Sequence, residues 1–389
     1  MLETKKAREQ SGRDSFSRYR AQVRSAAVAT LSILEGLDVD RIYCDLHDDF
    51  VIRKKDDDNF TYIFYQVKTK GKQNHNWTIN ELFGLKSRLK DQSKQCSESI
   101  RESFVGKLLL HTVVFDQYCN SVVFQTNIHN SDEVIELLED IESGVFANKF
   151  TAVLIDRFND CFGGGAIQYT LEQIKERLSK LNFQSDVSYL KDDDSYFDLV
   201  VKEKIYQYSE IELERAEFRE ILLRLLDLVE RKSSGVIKTW TAESIESFAG
   251  ISIDDLLSVL SISKEAYLAL LDGGDPNAIK SASMIQRSLR ASGADISVVM
   301  YCSRCKIDWD LWLRNARHII PELDLLFISE RIGTILWSAV TPQGMLAVGG
   351  LRQPIRDFLS ELEAKGLKFD LNDDLILGGI FSMLVKGKS

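Results

Sequence analysis

Three side chains with the means to cut a phosphodiester lie close together near the N-terminus: Asp49 opens one stretch rich in Val, Ile, Phe and Tyr, and Gln66 and Lys68 close the next. A carboxylate and an amide offer oxygen ligands, the kind a hard cation such as Mg²⁺ takes, with Mn²⁺ as a substitute. Such a cation polarises a phosphate and lowers the pKa of an attacking water. A lysine beside it can orient that water or offset charge building on phosphorus. Asp45 is a possible further carboxylate. An Asp, then Gln-x-Lys, is by itself a short pattern of residue types common on exposed hairpins.

The pattern has meaning only if the chain folds these residues together. Residues 45–71 read as a β-hairpin about a charged turn at Asp56–Asn59, since two β-branched and aromatic runs flank polar turn residues. A symmetric hairpin pairs Asp49 with Gln66, because 49 + 66 = 115 and half of that, 57.5, falls in the turn. Alternation then puts Tyr62, Phe64, Gln66 and Lys68 on one face and Ile63, Tyr65 and Val67 on the other. A slip of one residue would break this convergence.

Helical spacing of Val23, Ala26, Ala27, Leu31 and Leu34, with Gly36 as a stop, predicts a helix over Ser17–Leu34. Gln22 lies on it, where it can point at the hairpin, and Arg18 and Arg20 sit near its start, as DNA contacts or as a solvated face. Lys70, at the end of the hairpin stretch, is a further candidate DNA contact. A strand is expected near Arg41–Cys44, a helix over Thr78–Gln95, and strands at Lys107–Phe115 and Ser121–Thr126. On the second helix Lys86, Lys90 and Lys94 form a stripe that can follow a phosphate backbone or simply face solvent. Alternating strands and helices favour an α/β sheet with helices packed on it. Residues 130–232 read as mostly helical, Lys232–Gly235 as a linker, and 236–389 as a mainly α domain in which Pro354 opens a helix ended by Gly366.

A chain of 389 residues, 44% hydrophobic with 4 Pro, exceeds what one core usually serves and suggests two domains. No apolar stretch of membrane-spanning length stands out and six Cys are scattered, so a soluble protein of a reducing, cytoplasmic compartment is expected. The net charge of −10 argues against nucleic-acid binding over the whole surface. Residues 1–110 nevertheless carry 20 Lys+Arg against 16 Asp+Glu, a net of +4, which leaves 29 against 43, or −14, for the rest. The Cys302-x-x-Cys305 pair has no second ligand pair near it, Gly163–Gly165 follows no strand, and Gly387-Lys388-Ser389 ends the sequence with no helix after it. None of these reads as a zinc or ATP site.

The order Gln22, Asp45, Asp49, Gln66-Val67-Lys68-Thr69 resembles the PD-(D/E)XK nuclease superfamily in its variant with Gln for the second acid. More closely, Arg18-Tyr19-Arg20-Ala21-Gln22, His47-Asp48-Asp49, Gln66-Val67-Lys68-Thr69 and a strand ending at Gln125-Thr126-Asn127 are similar to the DNA endonuclease domain of bacterial antiphage effectors. Those effectors include CD-NTase-associated nucleases and nucleases partnered with a HerA-type hexameric ATPase. The resemblance implies a restriction-endonuclease-like α/β domain over 1–235, a central mixed sheet flanked by helices, and then a helical assembly domain over 236–389. It implies Asp49 and Gln66 as metal ligands, Lys68 as the catalytic lysine, and Asp45 and Gln22 in support, although the family often has Glu where Asp45 stands. Double-stranded DNA, a homo-oligomer and the ATPase are the implied partners. A nuclease gated by a cyclic nucleotide and a non-catalytic assembly subunit are the alternatives.

Overall fold

The computed structural model describes residues 10–36, 38–56, 59–71, 75–163, 167–191, 194–209, 213, 215–290, 293–341 and 346–386. The hairpin-turn residues 57–58, the second and third glycines of the 163–165 run, and 387–389 lie outside them. The chain divides into two compact units, residues 1–204 with 216–253, and 205–215 with 254–389.

The first unit begins with α1 (Gln10–Thr30), which tightens into a short 3₁₀ turn over Leu31–Glu35 and stops at Gly36 with φ 69°. Next come β1 (Val39–Leu46), β2 (Asp48–Asp56) and β3 (Asn59–Lys68). They are followed by α2 (Ile79–Phe83), α3 (Ser97–Glu102), α4 (Phe104–Val114) and β4 (Cys119–Thr126). Helices α5 (Asp132–Glu142), α6 (Lys149–Phe162) and α7 (Leu171–Ser179) precede β5 (Leu181–Gln184). Then come α8 (Asp194–Ser209), which belongs to this unit as far as Lys204, α9 (Arg215–Ser233), which belongs to it from Ala216, α10 (Ala242–Phe248) and β6 (Gly250–Ile251). The sheet is mixed, in the order β5-β4-β3-β2-β1-β6, with β3, β4 and β5 parallel and the other neighbours antiparallel.

The hairpin has the symmetric register: Phe50 pairs with Tyr65 and Asp56 with Asn59, each pair summing to 115. The face that carries Gln66 is apolar further along, because Phe64 is buried with Val51, Phe124, Leu108 and Leu109 in the core under α2 to α7. Fully burying such side chains contributes roughly 1.5–3 kcal/mol each. Helix α1 is tied to the sheet by a hydrogen bond from Ser25 to Gln125, whose amide in turn donates to Gln184 and Tyr189.

Four readings of the sequence are corrected. The helix expected over Thr78–Gln95 ends at Phe83, because Gly84 takes a left-handed φ of 68° and a Cβ there would stand 2.1 Å from the Ser99 carbonyl oxygen. Lys86, Lys90 and Lys94 are exposed but share no helix, and Lys94 lies in a 3₁₀ turn over Gln92–Lys94, 3.6 Å from Asp91. The strand expected at Lys107–Phe115 is α4, whose start is capped when the Gly106 N–H donates to Ser103 Oγ; short apolar runs suit either state. The supposed linker after Lys232 is packed chain: Lys232 Nζ donates to the Ser247 carbonyl at 2.8 Å, and a Cβ on Gly235 would meet the Phe248 carbonyl at 2.5 Å. Residues beyond 235 still serve the sheet, since β6 pairs with β1 and Glu246 meets Arg53 at 3.2 Å, so the boundary lies at 253.

The second unit is helical: α11 (Ile253–Val259), α12 (Lys264–Asp272), α13 (Ala278–Arg290), α14 (Ile296–Ala316), α15 (Glu322–Ala339), α16 (Arg352–Ala364) and α17 (Asp373–Lys386). Gly378 and Gly379 let α17 press onto α14, since a Cβ on Gly378 would lie 1.9 Å from the Cys305 carbonyl oxygen. Cys302 and Cys305 are buried on α14, where desolvation pushes their thiols up to about 12 and about 11, so they pack as small apolar groups. Among the described residues no helix is long and apolar enough to cross a membrane.

Candidate active site

Asp49 is the hub. It lies one step before the last hairpin pair, Phe50 with Tyr65, at an end of the sheet where two other elements reach it. Its Oδ1 accepts from Gln22 Nε2 of α1 at 2.6 Å. Its Oδ2 accepts from the Val67 backbone N–H at 2.6 Å and from Lys68 Nζ at 2.9 Å. A carboxylate has about four acceptor positions, so three donors leave one, on Oδ1. Burial pushes the Asp49 carboxyl up, against the pull of the Lys68 ammonium. The fold therefore holds a costly charge in place with a lysine, a backbone amide and a side-chain amide.

Gln66 is 7% exposed, and its Oε1 is buried with no hydrogen-bond partner among the described residues. An unpaired buried carbonyl oxygen costs about 1–3 kcal/mol, and a cation would supply what it lacks. Asp49 and Gln66 thus fit a magnesium ion, which usually takes one or two protein carboxylates and keeps waters and phosphate oxygens for the rest. Among the described residues no group of three or more His, Cys, Asp or Glu gathers to hold a metal.

The structure thus brings together Gln22, Asp49 and Lys68, and it sets Gln66 on the neighbouring strand position. Asp45 does not join them. It is exposed, in a left-handed turn with φ 49°, and makes no hydrogen bond to the cluster; burial raises its carboxyl. Gln22, read as a supporting residue, is a donor that aims the carboxylate.

The basic residues divide in the same way. Arg20, Arg24, Lys70 and Asn127 line one cleft beside the end of β3, while Arg18 is exposed on α1 and is not among its lining residues. Lys70 is engaged: its ammonium meets Glu81 at 2.6 Å and lies 3.8 Å from the centre of the Trp77 ring. Asn127 clasps the Lys70 backbone with two 3.0 Å hydrogen bonds, one to each side of the peptide.

Sequence reasoning missed His111 here and quoted Asp48 only as part of the motif His47-Asp48-Asp49, without a role. Asp48 and His111 are joined, Oδ2 to Nε2, at 3.1 Å, and Asp48 Oδ1 accepts the Asp49 backbone N–H at 3.0 Å. His111 was hidden by the misreading of α4 as a strand; a histidine among the apolar residues of a capped helix was the available signal.

No curated protein sequence matches the chain. Among solved structures it is similar to the Acinetobacter baumannii Cap4 SAVED/CARF-domain containing receptor with the cyclic trinucleotide 3'3'3'-cAAA, at 11% identity and a TM-score of 0.39, covering 75% of this chain and 68% of that one. The same receptor with 2'3'3'-cAAA gives 10% and 0.37, covering 74% and 63%. The Moraxella osloensis Cap4 SAVED/CARF-domain containing receptor gives 12% and 0.35, covering 75% and 66%. Residues 10–233, which hold every member of the Asp49 cluster, match the sequence profile of the family described as Cap4, dsDNA endonuclease domain. That is 224 of 389 residues, and the chain belongs to this family of CD-NTase-associated antiphage effector nucleases.

Proposed function

We propose that the chain is a Mg²⁺-dependent endonuclease that hydrolyses double-stranded DNA in phage defence, with Asp49 and Gln66 holding the ion and Lys68 as the catalytic lysine. The observation that carries this reading is the fixed Asp49 carboxylate, met by Lys68 at 2.9 Å, with an unpartnered Gln66 oxygen on the adjoining strand. Mn²⁺ should substitute. A bound divalent ion would polarise the phosphate and render water nucleophilic near neutral pH.

The chain's own residues do the rest. Gln22 and the Val67 N–H fix the carboxylate in one orientation. Lys68 spends one of its three donors on Asp49, and the others can meet a phosphate oxygen or aim a water. Arg20, exposed on α1 beside the neighbouring cleft, would contribute a DNA-backbone contact, whereas Arg24 is buried, donates to the Lys191 carbonyl and stacks on Phe197.

The reading extends to assembly: a homo-oligomer working with a HerA-type ATPase, in which the helical residues 254–389 serve as the docking part. Its support is the resemblance of the N-terminal motifs to ATPase-partnered nucleases, together with the weak net charge of the catalytic region. A net of +4 over residues 1–110 is little for holding a polyanion, and several copies on one duplex raise the effective concentration of sites. The test is the cleavage of plasmid DNA by the full chain, alone and with the ATPase, in Mg²⁺ and in EDTA. Cleavage that survives EDTA removes the metal, and cleavage unchanged by the ATPase removes that partner.

A further inference from the structure

The turn that delivers Asp49 to the site is strained. Leu46 pairs with Asp48 across a single residue, His47, which has φ 64°, and Asp45 before it has φ 49°. Side chains other than Gly visit this region seldom, and such a conformation persists only where its surroundings hold it. Here the holding element is the C-terminal part of α4. His111 Nε2 meets Asp48 Oδ2 at 3.1 Å, and both side chains are nearly buried, 13% and 8% exposed. The His111 ring stacks on Phe64, with centroids 4.4 Å apart and planes 11° from parallel. Phe115, just past α4, packs on Phe64 at 4.6 Å and meets the edge of His47 at 5.1 Å. The other oxygen of Asp48 accepts the Asp49 N–H at 3.0 Å. A continuous chain of contacts therefore runs from β3 through His111 and Asp48 to the backbone of the metal-binding residue.

We infer that His111 is a positioning residue for cleavage: through Asp48 it fixes the Asp49 backbone, so that the carboxylate is already set for the ion. The inference rests on the proposed function and adds a residue to it. Stacking on Phe64 limits the ring's rotation, and the bond to Asp48 restrains the strained turn from one side. Gln22, Val67 and Lys68 hold the Asp49 carboxylate from the other. Partners of this indirect kind typically change metal affinity or activity about 10–100-fold when removed.

The experiment measures Mn²⁺ binding by calorimetry, and the Mg²⁺ concentration for half-maximal cleavage, in full-length wild type and three variants. His111→Ala should weaken Mn²⁺ binding by about 10-fold or more and raise the Mg²⁺ requirement in parallel. His111→Gln, which keeps an N–H donor at similar reach, should recover much of both. Val105→Ala, a change at a buried α4 position outside these contacts, should lower the melting temperature and leave Mn²⁺ binding as in wild type. A folded His111→Ala that binds Mn²⁺ like wild type overturns the inference. So does a Val105→Ala that weakens binding as much, because the effect would then be one of helix packing alone. If wild type neither binds Mn²⁺ nor cleaves DNA, with or without the ATPase, the functional reading itself fails and this inference fails with it.

Discussion

Asp49 is held where its charge is costly, and that cost has a measurable sign. Its carboxyl is raised above the ordinary carboxylate value of about 3.9, so the ionised group disfavours the fold at pH values above its folded pKa, and the penalty fades as the pH falls toward the unfolded value. In EDTA, Asp49→Asn should therefore melt above wild type at pH 7, with the gap closing toward pH 4; a variant that melts lower at pH 7 contradicts the balance between burial and Lys68. Gln22→Ala should cost about 10–100-fold in cleavage, since Gln22 only aims the carboxylate, and wild-type cleavage in that variant would remove it from the site. Gln66→Glu should keep measurable cleavage, because an oxygen remains at the same reach. Much of this site was legible in the sequence. The hairpin's alternation and symmetric register were enough to set Asp49 near Gln66 and Lys68. Asp45 was drawn in by its place in the sequence and by the resemblance; with φ 49° it makes no hydrogen bond to the Asp49 cluster among the described residues. Asp48 and His111 lie 63 residues apart and needed a tertiary fold to meet.

Elements were read well where periodicity was long or a turn was specific, and badly where an apolar run was short. Helix α1, the strand β4 and the Pro354 helix followed their patterns. The α4 segment carries its apolar residues in short runs, Leu108–Leu110 and Val113–Val114, so neither period stands out, and its Ser103 cap decides the matter. Gly84 ends α2 for a reason invisible in one sequence, the approach of the Ser99 carbonyl. Gly84→Ala should therefore destabilise the full chain by about 3 kcal/mol or more, as both φ and the contact forbid a side chain; a loss under about 1 kcal/mol would mean the backbone yields. Breaking the expected lysine stripe also changes the DNA forecast. Reversing Lys86, Lys90 and Lys94 together should flatten the slope of log K against log salt by less than about 2.7, the figure for three backbone contacts at 0.9 each.

At the scale of the whole molecule, the two units differ in what they ask of the solvent. In the helical unit Lys306 is buried and meets Asp275 at 2.7 Å and Asp310 at 2.8 Å, and the Lys306 ammonium holds the Asp275 carboxyl low. Stability from this pair is present above the ordinary carboxylate pKa and is lost as pH falls through the lower folded value. Asp275→Asn should destabilise near neutrality by less than the about 3–5 kcal/mol lost when a buried charge is left wholly unpaired, because Asp310 still meets Lys306. The difference should shrink as the pH falls below the ordinary carboxylate value of about 3.9, and a gap that persists in strong acid would assign the loss to packing. In the catalytic unit, a chain ended at 253 keeps β6 and Glu246, whereas one ended at 235 strips the β1 edge and leaves Arg53 with Asp40 but without Glu246. The division into two parts was legible from composition, but its position was not, because α10 and β6 look like the start of the helical part and belong to the sheet. On the proposed function, one lysine–carboxylate pair at the end of this sheet cuts DNA. The measurement is plasmid cleavage in Mg²⁺ by full-length Lys68→Ala and Asp49→Ala, with the ATPase present, each variant shown by circular dichroism to be folded. Both variants should lose cleavage while keeping wild-type secondary structure, and cleavage at the wild-type rate in either folded variant would overturn the assignment of this pair.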